Sequence, residues 1–338
     1  MNRMNLLLRR LIGFSLLLTC LISASSTFCA AARFPSDTGG RAVPFELDDN
    51  LIYVRVSVNG SRPLSFILDT GAYSIIHTRQ TRALGLKQKL IGPAGGSGAN
   101  QPDVFLVTAK VSFSLPGIEF SPRRLVAASL DAVEGCVNEF VIDEYGHNVV
   151  ADPSKQSPAK REVDGILGKE FFDQFVVEID YAQRLLRVYD ESSYKYAGSG
   201  KSIPIEIGEQ HIFVPAQLTA ARRAPLRGRF LIDTGSAQAV SLMKPFILSH
   251  NLLPATEGMT AVPVCGLGGH AKEKSWIGNL EMLELGEFKI SGPVTEFRMS
   301  DATTDADGFI GGALLRRYKV IFDYLHRRMI LEPRSDLK

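Results

Sequence analysis

Leu64-Ser65-Phe66-Ile67-Leu68-Asp69-Thr70-Gly71-Ala72 is written a second time, with changes of detail, as Gly228-Arg229-Phe230-Leu231-Ile232-Asp233-Thr234-Gly235-Ser236. In both, an apolar, β-prone run stops abruptly at an acid, a hydroxyl and a glycine. A carboxylate at the end of a buried strand is unfavourable unless something pairs with it or shares its proton. A second carboxylate brought up by an equivalent strand provides that sharing, so the doubled stretch predicts that Asp69 and Asp233 meet. The triplet alone is not the signal. Asp37-Thr38-Gly39 follows Pro35-Ser36 and precedes Gly40, with no strand to deliver it, and reads as a turn.

Outward from these stretches the duplication continues. Residues 51–58 alternate apolar and polar, Asn59-Gly60 is a hairpin signal, and 64–68 is the return strand. A short strand at 74–76, a helix over 79–84 closed by Gly85, a glycine-rich loop at 92–98 and strand-like alternation over 104–113 follow. That loop lacks the Lys-Ser or Lys-Thr and the following helix of a phosphate cradle and reads as a mobile hairpin tip. In the second half the same order returns as a strand at 212–218, a strand delivering Asp233, a strand at 240–242, a helix over 245–250 and a glycine loop at 265–269. Residues 163–168, read as a short helix-like turn, are echoed by 306–311. Ile179-Asp180-Tyr181, within strands expected at 175–181 and 184–189, is echoed by Phe322-Asp323-Tyr324. Asp164 to Asp180 and Asp307 to Asp323 are both separations of 16 residues. The first half is longer between Asp69 and Asp164 because of a polar, irregular surface excursion at 131–162. This is a two-fold internal duplication.

The 338 residues, 45% apolar and 22% charged, suffice for two cores. Residues 1–32 read as a cleaved secretory leader: Arg3, Arg9 and Arg10, then an uncharged apolar run, then small residues ending at Ala30-Ala31-Ala32. An uncleaved membrane anchor is the alternative; a lipid anchor on Cys20 and a twin-arginine signal at Arg9-Arg10 are less well supported. Without the leader, 35 basic side chains face 36 acidic ones, a near-neutral balance that points neither to nucleic acid nor to a membrane surface. Cys136 and Cys265 then remain, as one disulfide or as two buried thiols. The domain plan is a short polar tail at 33–42, an N-terminal lobe at 43–190, a linker at 191–201 and a C-terminal lobe at 202–334.

Two matched motif pairs over nearly all of residues 43–333 resemble the aspartic protease superfamily of pepsin-like and retropepsin-like folds. In that superfamily Asp-Thr-Gly follows a hydrophobic strand, and an apolar-apolar-Gly segment crosses beneath it later in the lobe. The resemblance implies an all-β fold of two pseudo-twofold lobes with few short helices, and an endopeptidase acting on peptides or proteins without metal or cofactor. It makes Asp69 and Asp233 the catalytic pair, and Thr70 and Thr234 a hydroxyl clasp across the axis. Gly71 and Gly235 become the turns, Ser236 a hydroxyl beside Asp233, and Ile166-Leu167-Gly168 with Phe309-Ile310-Gly311 the supporting segments. Substrate would be covered by glycine-bearing loops at Gly95, Gly96 and Gly98 and at Gly268 and Gly269, two tips without a Tyr, as in paired retropepsin subunits. Ala72 lacks the hydroxyl that pepsin-like enzymes commonly carry there, which raises the Asp69 pKa and moves the optimum to less acidic pH than pepsin's. A single-chain pseudodimer is favoured over a dimer with two sites, and catalysis over a non-catalytic peptide-binding role. Asp164 and Asp307, each before a glycine, are expected to cap turns or face solvent. Trp276 is expected in packing or in a binding cleft, and Lys160-Arg161 in an exposed charged loop that could be a processing site.

Overall fold

Asn59 (φ 51°) and Gly60 (φ 76°) take the positive φ values that a tight hairpin turn demands. They fold Leu51–Val58 back on Leu64–Leu68, pairing Tyr53 with Ile67 and Val54 with Phe66. All five residues of Leu64–Leu68 are buried. Leu51–Val58 pairs antiparallel along one edge and Gly165–Leu167 parallel along the other, while its two faces enter different cores, Leu64, Phe66 and Leu68 the main one and Ile67 a second. A strand covered on both faces reads as a continuous apolar run. The structure, a computed structural model, describes residues 40–93, 96, 98–139, 141–143, 145, 148–149, 161–220, 223–252, 260–300 and 304–337, all within one compact unit. The expected leader, the Asp37-Thr38-Gly39 turn, Gly95 and Lys160 lie outside the described residues.

Two ten-stranded sheets repeat one another strand for strand. The first runs in the order 88–93, 103–107, 126–128, 75–77, 165–167, 64–68, 51–58, 113–115, 118–120, with 46–48 paired to 51–58. The second runs 260–266, 269–279, 294–297, 240–242, 308–311, 226–233, 212–219, 282–285, 288–291, with 206–207 paired to 212–219. A six-stranded antiparallel sheet takes strands from both halves, in the order 41–44, 185–190, 175–180, 318–323, 328–333, 201–204. At its centre Val177 pairs with Phe322 and Ile179 with Val320, so the two echoed Asp-Tyr strands are neighbours. The fold is all-β; among the described residues the longest of the few helices, Asp131–Glu139, has nine residues. No helix among them is long and apolar enough to cross a membrane.

The main core is continuous across the halves. Edge-on and tilted aromatic contacts run from Phe66 to Phe113 (5.5 Å), Phe120 (5.5 Å), Phe171 (5.3 Å) and Phe172 (5.9 Å), then to Phe322 (5.4 Å) in the second half. Each such pair adds about 0.5–1.5 kcal/mol beyond its area.

Several expectations need correction. The segment expected to be a helix-like turn at 163–168 is the strand Gly165–Leu167, and the helix begins only at Lys169. Arg41 and Ala42 are not tail residues but pair with Val188 and Arg187. The excursion is not irregular throughout, since Asp131–Glu139 is helical. Arg161 is not in a loose loop: its guanidinium bonds Asp48 (2.7 Å) and Glu46 (3.1 Å) and lies over the Tyr53 ring. Trp276 packs, partly buried, against the main core.

Asp164 faces no solvent. It is 1% exposed and accepts from the Ser65 N–H (2.9 Å), Gln80 Nε2 (2.7 Å) and Arg79 Nη2 (3.1 Å). Asp307 holds the matching Arg229 N–H at 2.8 Å. Burial alone would raise the Asp164 pKa; the Ser65 N–H, Arg79 and Gln80 outweigh it and hold the carboxyl below its usual range. For a lowered acid, the stabilisation is complete above the unfolded value, about 3.9, and is lost as pH falls through the folded value. Asp164→Asn should therefore cost about 1–2 kcal/mol at neutral pH and flatten the acid-side decline in urea stability measured from neutral pH downward.

Candidate active site

Asp69 leaves the end of Leu64–Leu68 and Asp233 ends Leu226–Asp233; each next finds its glycine turning back on it. The Gly71 N–H donates to Asp69 Oδ1 (2.7 Å) and the Gly235 N–H to Asp233 Oδ1 (2.9 Å). The turns then lock together. The Thr70 hydroxyl donates to the Ile232 carbonyl (2.7 Å) and accepts the Thr234 N–H (3.1 Å). The Thr234 hydroxyl donates to the Leu68 carbonyl (2.8 Å) and accepts the Thr70 N–H (3.0 Å). Both threonines are 1% exposed. Four hydrogen bonds across the pseudo-twofold bring the carboxyls together, and they hydrogen-bond to each other.

Glycine is required here by crowding. A β-carbon at 71 would come within 2.8 Å of the Asp233 carboxyl, and one at 235 would collide with that of Asp69. Beneath the turns, Ile166 pairs with Ile67 and Leu167 with Leu68, while Phe309 pairs with Leu231, Ile310 with Ile232 and Gly311 with Asp233. The Asp69 N–H donates to the Leu167 carbonyl (3.0 Å). Gly168 and Gly311 pass so near the backbone of Ala72-Tyr73 and of Ser236 that a side chain on either would push the turn out of place.

The pair lies in a cleft of about 620 Å³ whose lining includes Asp69, Gly71, Asp233, Gly235, Ser236 and Phe309. Both carboxyls keep some accessible surface toward the cleft while protein surrounds them elsewhere. Burial, followed by the Asp233 charge, pushes the Asp69 carboxyl well above the ordinary range. Burial also raises Asp233, but the hydrogen bond from Asp69, the Gly235 N–H, Arg298 and His211 oppose it. The two carboxyls are both raised by burial and titrate as a coupled pair that holds one proton between them.

Two hairpin tips meet over the cleft. The Gly98 N–H donates to the Leu267 carbonyl (3.0 Å), Ala99 to His270 (2.9 Å) and Asn100 to Gly268 (3.1 Å, with Nδ2 at 3.0 Å). Gly96 lines the cleft, and Gly269 pairs with Gly266 at the second tip. The Gly92 tip, expected as a mobile hairpin end, is thus joined to the opposite half. Cys136 and Cys265 form a disulfide that ties the helix Asp131–Glu139 to the second hairpin.

The sequence reading missed His211, Arg298 and Tyr73, which also line the cleft. Arg298 is held by Glu296 (2.8 Å) and lies over Phe309; Arg124 lies over the Tyr73 ring (4.6 Å). Each is a single residue outside the repeated motifs, and only laying the halves over one another would have drawn attention to His211, which precedes Ile212–Thr219 as Asn50 precedes Leu51–Val58. No protein-family model and no curated protein matches this chain.

Proposed function

We propose that this chain is an aspartic endopeptidase of the pepsin-like and retropepsin-like type, exported after loss of its leader, that cleaves peptides or proteins with one site per chain. The carrying observation is the hydrogen-bonded pair Asp69 and Asp233, set by four cross-half bonds in a cleft roofed by two hairpin tips. Two carboxyls at such range cannot both ionise cheaply, so they hold one proton between them. In this reading Asp233 takes a proton from a water placed between them, and that water attacks the scissile carbonyl. Asp69 gives its proton toward the developing oxyanion, and the pair then delivers a proton to the leaving amine. No covalent intermediate, metal or cofactor takes part. Both acids belong to one chain, which favours the pseudodimer over a two-site dimer; sedimentation at assay concentration tests that.

The experiment is a peptide library incubated with the purified protein, with and without a pepstatin-type inhibitor, across pH. Cleavage that the inhibitor suppresses, with an optimum less acidic than pepsin's, is expected. The raised Asp69 pKa keeps the shared proton available at weakly acidic pH. A profile peaking near about pH 2, where pepsin's lower pKa lies, would contradict the pKa argument. Peptide binding without hydrolysis at any pH would leave a non-catalytic binding protein.

A further inference from the structure

We propose that the cleft selects opposite chemistries on the two sides of the bond it cuts: an apolar side chain against the first half, and a carboxamide side chain, Asn or Gln, against Glu296 and Arg298 of the second. Strand pairing matches the two walls residue for residue. Ile166 pairs with both Ile67 and Ile75, and Phe309 with both Leu231 and Ser241. Ile75 in turn pairs with Val126, and Ser241 with Glu296. Glu296 therefore stands where Val126 does, and Arg298, two residues on, where Ala128 does. In the first half these positions form one apolar cluster, from which Ile67, Ile75, Val126 and Ile166 line the cleft. Arg124, the next position on that face, is exposed and lies over the Tyr73 ring.

The second wall keeps Leu231 and Phe309 but sets a buried polar group beside them. Glu296 is 3% exposed, and its Oε2 accepts from the Ser241 hydroxyl (2.7 Å) and from Arg298 Nε (2.8 Å). Its Oε1 has no partner among the described residues and keeps accessible surface. Glu296, Arg298 and Phe309 all line the cleft, with the guanidinium 5.2 Å from the centre of the Phe309 ring. The pseudo-twofold passes between Asp69 and Asp233, so a bond cut there sets its two flanking side chains against these matched walls. An apolar side chain on the second wall would strip water from a buried ion pair and return no hydrogen bond. A carboxamide donates to a carboxylate and accepts from a guanidinium. Glu296 and Arg298 balance in charge, so an ionised side chain meets a like charge at one of them. On the first wall the preference reverses, because an apolar side chain there gains about 25 cal/mol for each Å² it buries.

The inference rests on the peptidase reading. The test measures kcat/KM of the full protein on peptides whose central pair is Leu-Xaa or Xaa-Leu, with Gln, Leu, Lys or Glu as Xaa, and locates each cut by mass spectrometry. In one of the two orders, Gln should exceed Leu by about 10²-fold, since a wall built to hydrogen-bond rejects a side chain that cannot. Gln should exceed Lys and Glu there by about tenfold, one mismatched charge. The triple variant Ser241→Ile, Glu296→Val, Arg298→Ala carries the residues of the first wall and should prefer Leu on both sides. Glu296→Gln keeps the volume but leaves the Arg298 charge unbalanced, and should move the preference from Gln to Glu. Each result is a ratio within one enzyme, so any change in the carboxyl pair cancels. A wild-type preference for Leu, Lys or Glu in both orders would overturn the inference and leave the peptidase reading standing. So would an unmoved Gln preference in Glu296→Gln or in the folded triple variant. If the wild type cleaves none of the peptides, the peptidase reading fails, and calorimetric binding of the same peptides decides the inference. Gln bound most tightly upholds it; binding in another order, or none, overturns it.

Discussion

Asp233→Asn is expected to abolish peptide hydrolysis, lowering kcat at least about 10³-fold, while the protein stays folded and gains stability at neutral pH. The loss follows from the role proposed for it: in the proposed mechanism Asp233 accepts the water proton, which an amide cannot do. Positioned acid–base groups are worth about 10²–10⁴ in rate. Asp69→Asn should lose as much for the complementary reason, since an amide has no acidic proton to give the developing oxyanion. The gain in stability follows from linkage. A carboxyl whose folded pKa is raised binds more protons when folded than when unfolded, so its folded state is penalised as pH rises above the unfolded value, about 3.9. Both acids are raised by burial, and Asp69 further by its neighbour's charge. Replacing either with a neutral isostere removes that penalty at pH 7 and changes little at pH 3. Melting temperatures of the two variants at both pH values, beside turnover of a susceptible peptide, check this. Loss of activity accompanied by a lower melting temperature at pH 7 would instead mean that the amide had disrupted the turn, and retained hydrolysis would remove the pair from the chemistry.

The sequence made the centre of the molecule legible because the signal there is both local and repeated. A buried strand must be apolar throughout, and a residue that ends it with a charge breaks the run visibly at Asp69 and again at Asp233. The strand Gly165–Leu167 was harder: the two apolar residues between its glycines, Ile166 and Leu167, have no period, and a helix does begin two residues after Leu167, at Lys169. The buried setting of Asp164 was hidden for a different reason. Its partners Arg79 and Gln80 lie 85 and 84 residues away, and nothing local distinguishes an acid held by a distant guanidinium from one at the surface. The helix Asp131–Glu139 carries a stripe at Val133, Cys136 and Val137, two of which pack on the core, but nine residues with a glycine at 135 are too short for the pattern to stand out, and the disulfide to Cys265 adds a tie no local pattern shows. His211 and Arg298 stand singly in the lining of the cleft, and one side chain leaves no pattern to read.

Thr70→Val, Thr234→Val and their combination should show that the clasp, more than either turn, holds the site together. Each hydroxyl works twice, donating to a carbonyl of the other half and accepting an N–H from it. Valine keeps the shape and branching, so packing changes little, but the Thr234 N–H in one case or the Thr70 N–H in the other is left buried without its acceptor. Water cannot replace it, since both residues are 1% exposed. An orphaned buried group costs about 1–3 kcal/mol, and the lost donor adds about 1. We therefore expect each single variant to lose about 2–4 kcal/mol in urea unfolding, and the double variant about 4–8. Serine should lose less than about 1, because its hydroxyl can occupy the same place. Catalysis should fall further than stability implies, by about 10²-fold in kcat for a single Val, because the bonds that break are the ones that set the spacing of Asp69 and Asp233. If Thr→Val and Thr→Ser proved equally mild, the hydroxyls would be ornamental, and the halves would be held by the shared six-stranded sheet, the Cys136–Cys265 disulfide, the joined hairpin tips and the Phe172–Phe322 contact.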